Sequence, residues 1–199
     1  KDKNLPEDLQ ALSTVLTKSY YSNMSIFRSA PDTWAIQQLF PIMPLQRLKE
    51  KPTELGQFMD LTCDSDGKLD RFISKGRSKS LLELHTLQPN ETYLIGMFLG
   101  GAYQEVMGNL HNLFGTTDAV HVRMAPGGNY QIDHVVKGDS NADVLKAMEH
   151  EPEQLLERLR VASEQSIRNN QLDIISAQRL MDHLEMSMRQ STYLASKNQ

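Results

Sequence analysis

The sequence predicts an α+β fold, a mostly antiparallel β unit with helical flanks, on three observations. Apolar residues recur at helical spacing near both ends. The middle of the chain alternates in short apolar runs broken by Gly, Pro, Asn and Asp clusters. The order of helices, then strands, then helices lacks the regular strand–helix alternation of a parallel α/β fold. With 199 residues, 39% of them hydrophobic, the chain can bury a sizeable core.

From the N-terminus, Pro6 to about Tyr20 reads as a helix, with Leu9, Leu12, Val15 and Ser19 in step and Pro6 suited to a first turn. Tyr20 to Phe27 reads as extended or irregular. A short helix follows from Ser29 or Ala30 to about Leu39, and Pro41, Pro44 and Pro52 break up what comes next. Short strands are predicted over Gln57–Thr62 and Leu69–Ile73, around the turn Asp64-Ser65-Asp66-Gly67. Two more are predicted over Leu81–Leu87 and Thr92–Leu99, on either side of Gln88-Pro89-Asn90-Glu91. The clearest hairpin joins Ala119–Met124 to Tyr130–Val136 through Pro126-Gly127-Gly128-Asn129, and places His121 and His134 on facing arms. Helices are predicted over Asn141–Met148, from Pro152 to about Asn169, and over a segment bearing Ile174, Ala177, Met181, Leu184 and Met188. The last two form a helical hairpin packed on the sheet.

Composition excludes several classes. There are 21 basic residues against 25 acidic, formally −4, which argues against a nucleic-acid binder. The most apolar stretch, Tyr93–Tyr103, is about half the length that spans a bilayer, so no membrane segment is expected. The N-terminus does not resemble a signal peptide. One cysteine, Cys63, rules out an internal disulfide framework and points to a reducing compartment. The chain lacks an initiator methionine, so a fragment is one expectation.

Two constellations have chemical potential. Cys63-Asp64-Ser65-Asp66-Gly67 puts a thiol beside two carboxylates at the end of a strand. Carboxylates bind cationic groups through charge-assisted hydrogen bonds, in bidentate fashion when the group is a guanidinium. An activated thiolate is not the natural inference beside two acids. An Asp/Ser/Gly turn after a strand gives the same residues a purely structural role. Gly96 to Gly115 brings small residues to a helical step of Tyr103, Met107 and Leu110. Exposed backbone N–H groups and a tyrosine hydroxyl there suit a phosphate, although no Lys follows the glycines as in a Walker loop. Close strand–helix packing explains the same glycines. The six histidines show no metal-ligand spacing, and only His111 sits in the glycine-rich segment.

These segments together resemble the C-terminal part of the biosynthetic arginine decarboxylases of bacteria and plants, pyridoxal-phosphate enzymes of the alanine-racemase-like fold type III group. The likeness runs through Tyr21-Ser22-Asn23-Met24-Ser25-Ile26-Phe27, Pro31-Asp32-Thr33-Trp34 and Gln38-Leu39-Phe40-Pro41-Ile42-Met43-Pro44-Leu45. It continues through Asp60-Leu61-Thr62-Cys63-Asp64-Ser65-Asp66-Gly67, Gly101-Ala102-Tyr103-Gln104-Glu105, Leu110-His111-Asn112-Leu113-Phe114-Gly115 and Gly138-Asp139-Ser140-Asn141-Ala142-Asp143-Val144-Leu145.

The resemblance implies a C-terminal β-barrel with helical flanks, completing a site whose N-terminal (β/α)8 barrel and Schiff-base lysine lie outside this chain. Residues 1–55 would be the end of a helical insertion and a connector, 56–140 the β domain, and 141–199 a helical extension. It further implies that Cys63 and Asp64 enter the active site of a neighbouring subunit of a homodimer or larger homo-oligomer. There Asp64, with Asp66, would meet the cationic end of L-arginine, and Cys63 would protonate the carbon that loses carbon dioxide. Tyr103 would bind the phosphate of pyridoxal 5′-phosphate, and His111 or Asn112 would line the pocket. Mg2+ is a family-level expectation without a ligand set in the sequence. The implied function is conversion of L-arginine to agmatine in polyamine biosynthesis, in the cytoplasm or in a plant plastid, with this fragment alone inactive. The competing expectations are a non-catalytic paralogue that keeps the dimer interface, and a sister decarboxylase for another basic amino acid.

Overall fold

The computed structural model describes residues 17–195. The helix predicted from Pro6 falls outside them up to residue 16. Its predicted end is instead a strand, β1 (Lys18–Tyr21). The chain divides into two compact units, Lys1–Asn109 and Leu110–Gln199.

In the first unit β3 (Glu54–Met59) is the organising strand. It pairs in parallel with β1 (Lys18↔Gly56 to Tyr21↔Met59), and antiparallel with both β4 (Lys68–Leu69) and β7 (Leu82–Leu84). The strand's period of two decides its faces: Gly56 and Phe58 are buried and Leu55 is exposed. Phe58 joins Ile26, Leu69, Phe72, Leu82 and Leu84 in the core, with the Phe58 and Phe72 rings edge-to-face at 6.1 Å. Two smaller antiparallel pairs complete the strands: β2 (Ile42–Pro44) with β8 (Ile95–Met97), and β5 (Phe72–Ser74) with β6 (Arg77–Lys79). Three short helices belong to this unit, α1 (Ile26–Ser29), α2 (Pro31–Ala35) and α3 (Ala102–Met107). The helix predicted to run to Leu39 stops at Ala35. The chain turns there, and Gln37 takes a left-handed φ of 57°, which does not propagate a helix.

The second unit holds the hairpin β9 (Ala119–Met124) and β10 (Tyr130–Val136), with the predicted bounds. A bulge between Ile132 and His134 shifts the register, so Val135 faces Val120 and His134 faces His121, the two rings 5.8 Å apart. Helices α4 (Asn141–Ala147), α5 (Pro152–Arg168) and α6 (Ile174–Arg189) follow. Ser140 caps α4 in a reciprocal capping box with Asp143, and Asp173 caps α6. Within this unit β10 is exposed along its whole length, so the helices do not cover it.

The β-barrel implied by the resemblance is also corrected. Among the described residues the sheets are open, one of four strands and three of two. A barrel needs strands long enough to hydrogen-bond continuously around a closed circuit. Here the strands outside the hairpin run from two to six residues, too short to close such a circuit. The α+β character and the mostly antiparallel pairing stand, β1–β3 being the parallel exception. No helix among the described residues is long and apolar enough to cross a membrane.

Phe72 is 1% exposed and its neighbour Ile73 is 50% exposed. Phe72→Ala is therefore expected to cost about 3–5 kcal/mol of stability, and Ile73→Ala less than about 1 kcal/mol. Denaturant unfolding of the two variants measures the difference.

Candidate functional site

The thiol and its carboxylates sit on the loop that leaves β3. The base of this loop is closed by the Asp60 amide donating to the Gly67 carbonyl at 2.8 Å. Within it the Asp66 amide donates to Asp64 Oδ1 at 2.9 Å and the Gly67 amide to the Asp64 carbonyl at 3.0 Å. This is an Asx-type turn, the conformation that the Asp-Ser-Asp-Gly composition favours. Cys63 is exposed, Asp64 is half-buried and Asp66 is exposed. One turn thus presents the thiol and both carboxylates.

Beneath the turn lies a residue to which sequence analysis assigned no role. Asp60 is 2% exposed. Its Oδ1 accepts from the Thr62 amide at 2.8 Å and the Thr62 hydroxyl at 2.6 Å, and its Oδ2 accepts from the Ile26 amide at 2.9 Å. Both carboxylate oxygens are engaged, as a buried acid requires. The signal was available: Gly56, Phe58 and Asp60 share one phase of the β period, so the strand carries an acid onto its buried face. Gly67 is required by close approach, since a Cβ there would stand 2.2 Å from Asp60 Oδ1.

Tyr103 lies within the second candidate segment, Gly96–Gly115. On the predicted helical step Tyr103 is 75% and Met107 64% exposed, while Gln104 is 5% exposed. The helix is turned by polar bonds: Gln104 Nε2 donates to Asp32 Oδ2 at 2.6 Å, and the Asp32 amide donates to Gln104 Oε1 at 3.3 Å. Its far end is held by Arg28, whose Nη1 donates to the Gly108 carbonyl at 2.9 Å, and by the Asn109 amide donating to the Phe27 carbonyl at 3.0 Å. Gly101 precedes the helix at φ 65°, with nothing within 4 Å of where a Cβ would stand. The start of α3 is therefore open at Gly101, and Tyr103 lies on its exposed face.

Helix α2 is common to both segments. Asp32 holds Gln104, and Trp34 Nε1 donates to Asp66 Oδ2 at 3.3 Å. Trp34, Gln37, Phe40, Asp66, Asp70 and Arg71 line a cleft of about 410 Å³ beside α2. Of the predicted residues only Asp66 borders it, and Cys63 and Asp64 do not.

His111 and Asn112 belong to the second unit, in a single 3-10 turn with Asn112 left-handed at φ 53°. Their segment is anchored to the chain's end. The Gly115 amide donates to Thr192 Oγ1 at 3.0 Å, and the Tyr193 hydroxyl donates to the Gly115 carbonyl at 2.8 Å. Phe114 stacks on Tyr193 at 5.2 Å. Asp139 accepts from the Thr116 amide at 2.7 Å, fixing the return from the hairpin.

Comparison with known proteins matches these segments. Residues 142–194 fit the family described as the arginine decarboxylase C-terminal helical extension, which includes the Thr192 and Tyr193 anchors. The chain is 69% identical over 192 residues to a biosynthetic arginine decarboxylase of Prochlorococcus marinus strain MIT 9303, covering 96% of this chain and 30% of that protein. It is 52% identical over 192 residues to one of Nostoc, covering 96% and 28%. The crystal structure of the biosynthetic arginine decarboxylase from Campylobacter jejuni superposes with a TM-score of 0.77 at 33% identity, over 90% of this chain and 29% of that one. The chain therefore spans about 30% of the length of the curated relatives it matches.

The Gln104–Asp32 pair gives a direct test of what orients α3. Gln104→Leu leaves the Asp32 amide and Oδ2 without this partner and is expected to cost about 1–3 kcal/mol. Glu105→Ala, on the exposed face, should stay within about 0.5 kcal/mol. Thermal or denaturant unfolding distinguishes them.

Proposed function

Because the chain belongs to the biosynthetic arginine decarboxylase family and corresponds to its C-terminal region, we propose that the whole protein is a pyridoxal-phosphate-dependent lyase. It converts L-arginine to agmatine and carbon dioxide for polyamine synthesis in the cytoplasm, and this chain supplies part of its active site. The observation that carries the proposal is the pinned turn that presents Cys63, Asp64 and Asp66 together.

Each residue has a role its chemistry suits. Asp64, half-buried and held in its turn, accepts hydrogen bonds from the substrate guanidinium, whose planar fork matches a carboxylate. Asp66, tied to Trp34, adds negative charge beside it. The exposed Cys63 thiol holds the proton that is delivered to the substrate carbon once its carboxylate has left. The Tyr103 hydroxyl, on the exposed face of α3, donates to the cofactor phosphate. His111 and Asn112, polar groups of the second unit, are the remaining candidates for contact with substrate. Pyridoxal phosphate, when bound, supplies the electron sink for loss of carbon dioxide. The exposure of Cys63 and Tyr103 in this chain fits groups that are covered by another part of the assembly, and we assign that part to a second subunit and to the N-terminal barrel of the whole protein. Among the described residues no group of three His, Cys, Asp or Glu side chains is arranged to hold a metal ion, and the proposal gives Mg2+ no ligand in this chain.

In the full-length enzyme Asp64→Asn is expected to lower kcat/KM for L-arginine by the equivalent of about 2–5 kcal/mol, the range for removing one partner of a buried, hydrogen-bonded charge pair. Steady-state kinetics with product analysis on arginine, ornithine and lysine tests this. A loss below about tenfold, or a preferred substrate other than arginine, contradicts the assignment.

A further inference from the structure

The residues that touch substrate in the proposed reaction sit on a loop, and loops are positioned by what lies under them. Here that support is Asp60. The structure makes it a junction between two distant stretches of chain. Its Oδ1 takes the amide and hydroxyl of Thr62, the residue immediately before Cys63. Its Oδ2 takes the amide of Ile26, 34 residues away and the first residue of α1.

Other bonds reinforce the same junction. The Leu61 amide donates to the Met24 carbonyl at 3.0 Å and the Ser22 amide to the Met59 carbonyl at 2.8 Å. Gly67 closes over the carboxylate so tightly that a methyl group there would overlap Asp60 Oδ1 and stand 2.5 Å from Thr62 Oγ1. The stretch that Asp60 grips continues through Phe27 and Arg28, which hold the end of α3.

We propose that Asp60 is a positioning residue: its buried carboxylate sets the path of the chain through Thr62 and so the place where Asp64 offers its own carboxylate to substrate. This rests on the assignment of Asp64 as the guanidinium contact. Asp60 itself is 2% exposed and covered by Gly67, so it acts through the turn and does not meet substrate. An asparagine has the same size but only one acceptor oxygen. It keeps either the Thr62 or the Ile26 side of the junction, and turns an amide donor toward a backbone N–H on the other.

The experiment is a double-mutant cycle in the full-length holoenzyme, with kcat/KM for L-arginine and bound pyridoxal phosphate per subunit as readouts. Asp60→Asn should lower kcat/KM by about tenfold or more in the wild-type background and by a factor at least about threefold smaller in the Asp64→Asn background, because the share of the loss that comes from misplacing the Asp64 contact disappears once that contact is removed and only the share from Cys63 on the same turn remains. Cofactor content should stay at the wild-type level. Thr62→Val, which removes only the hydroxyl donor, should show the same non-additivity at smaller size, and it decides the question if Asp60→Asn does not fold. Equal losses in both backgrounds, or no loss in the wild type, overturn the inference while leaving the role of Asp64 intact. If Asp64→Asn alone leaves kcat/KM unchanged, the substrate assignment fails and the inference fails with it.

Discussion

One buried carboxylate joins two distant segments of the first unit. Asp60 leaves the end of β3 on its inward phase, where an apolar side chain would be expected, and its two oxygens accept from three donors on two separate segments. Burying such a group is costly unless every acceptor position finds a donor. The fold meets that requirement by bringing Ile26 and Thr62 to the same place. The Ser25 hydroxyl then caps α1 by accepting from the Arg28 amide, and Thr62, held by Asp60, leads the chain into Cys63. The interaction is polar and directional, so it specifies geometry in a way that the neighbouring Phe58–Phe72 packing does not.

Helix α2 extends that order to the rest of the unit. It is only five residues long, yet its Asp32 turns α3 through Gln104 and its Trp34 reaches Asp66. Phe27 packs edge-to-face on Trp34 at 5.3 Å and so ties α2 back to α1. The thiol-carboxylate turn and the tyrosine helix are thus braced against one short element. In the second unit the Leu110–Gly115 segment has a comparable anchor, the C-terminal Thr192 and Tyr193. A helical extension with that anchor does more than add bulk: it holds a loop in place.

Much of this was legible in the sequence, and the failures have physical causes. The β9–β10 hairpin was readable because alternation and a Pro-Gly-Gly turn agree. Its bulge was not, because Asp133 leaves the apolar pattern nearly intact. Helices α4 to α6 carried their signals in caps and apolar spacing. Strand β2 was hidden by the prolines at its borders, and β6 by its Arg-Ser-Lys composition, since both are held by partner strands and not by propensity. The exposure of Tyr103 and Met107 ran against their apolar character because Gln104, paired with Asp32 from elsewhere in the chain, decides which face of α3 turns inward. The candidate residues themselves came from motif resemblance. Asp60 and Gln104, which brace them, lay inside the same strings, but their roles depend on partners 34 and 72 residues away that no local pattern encodes.

If Asp60 locks the Ile26 and Thr62 segments into one unit, the two must loosen together when its carboxylate is removed. Amide hydrogen exchange in the intact protein and its Asp60→Ala variant tests it most directly. The substitution should speed exchange of the Ile26 and Thr62 amides together, each by about tenfold or more, while amides paired along β9–β10 keep their protection. Faster exchange at Thr62 with Ile26 unchanged would mean that the carboxylate serves only its own loop and joins no second segment.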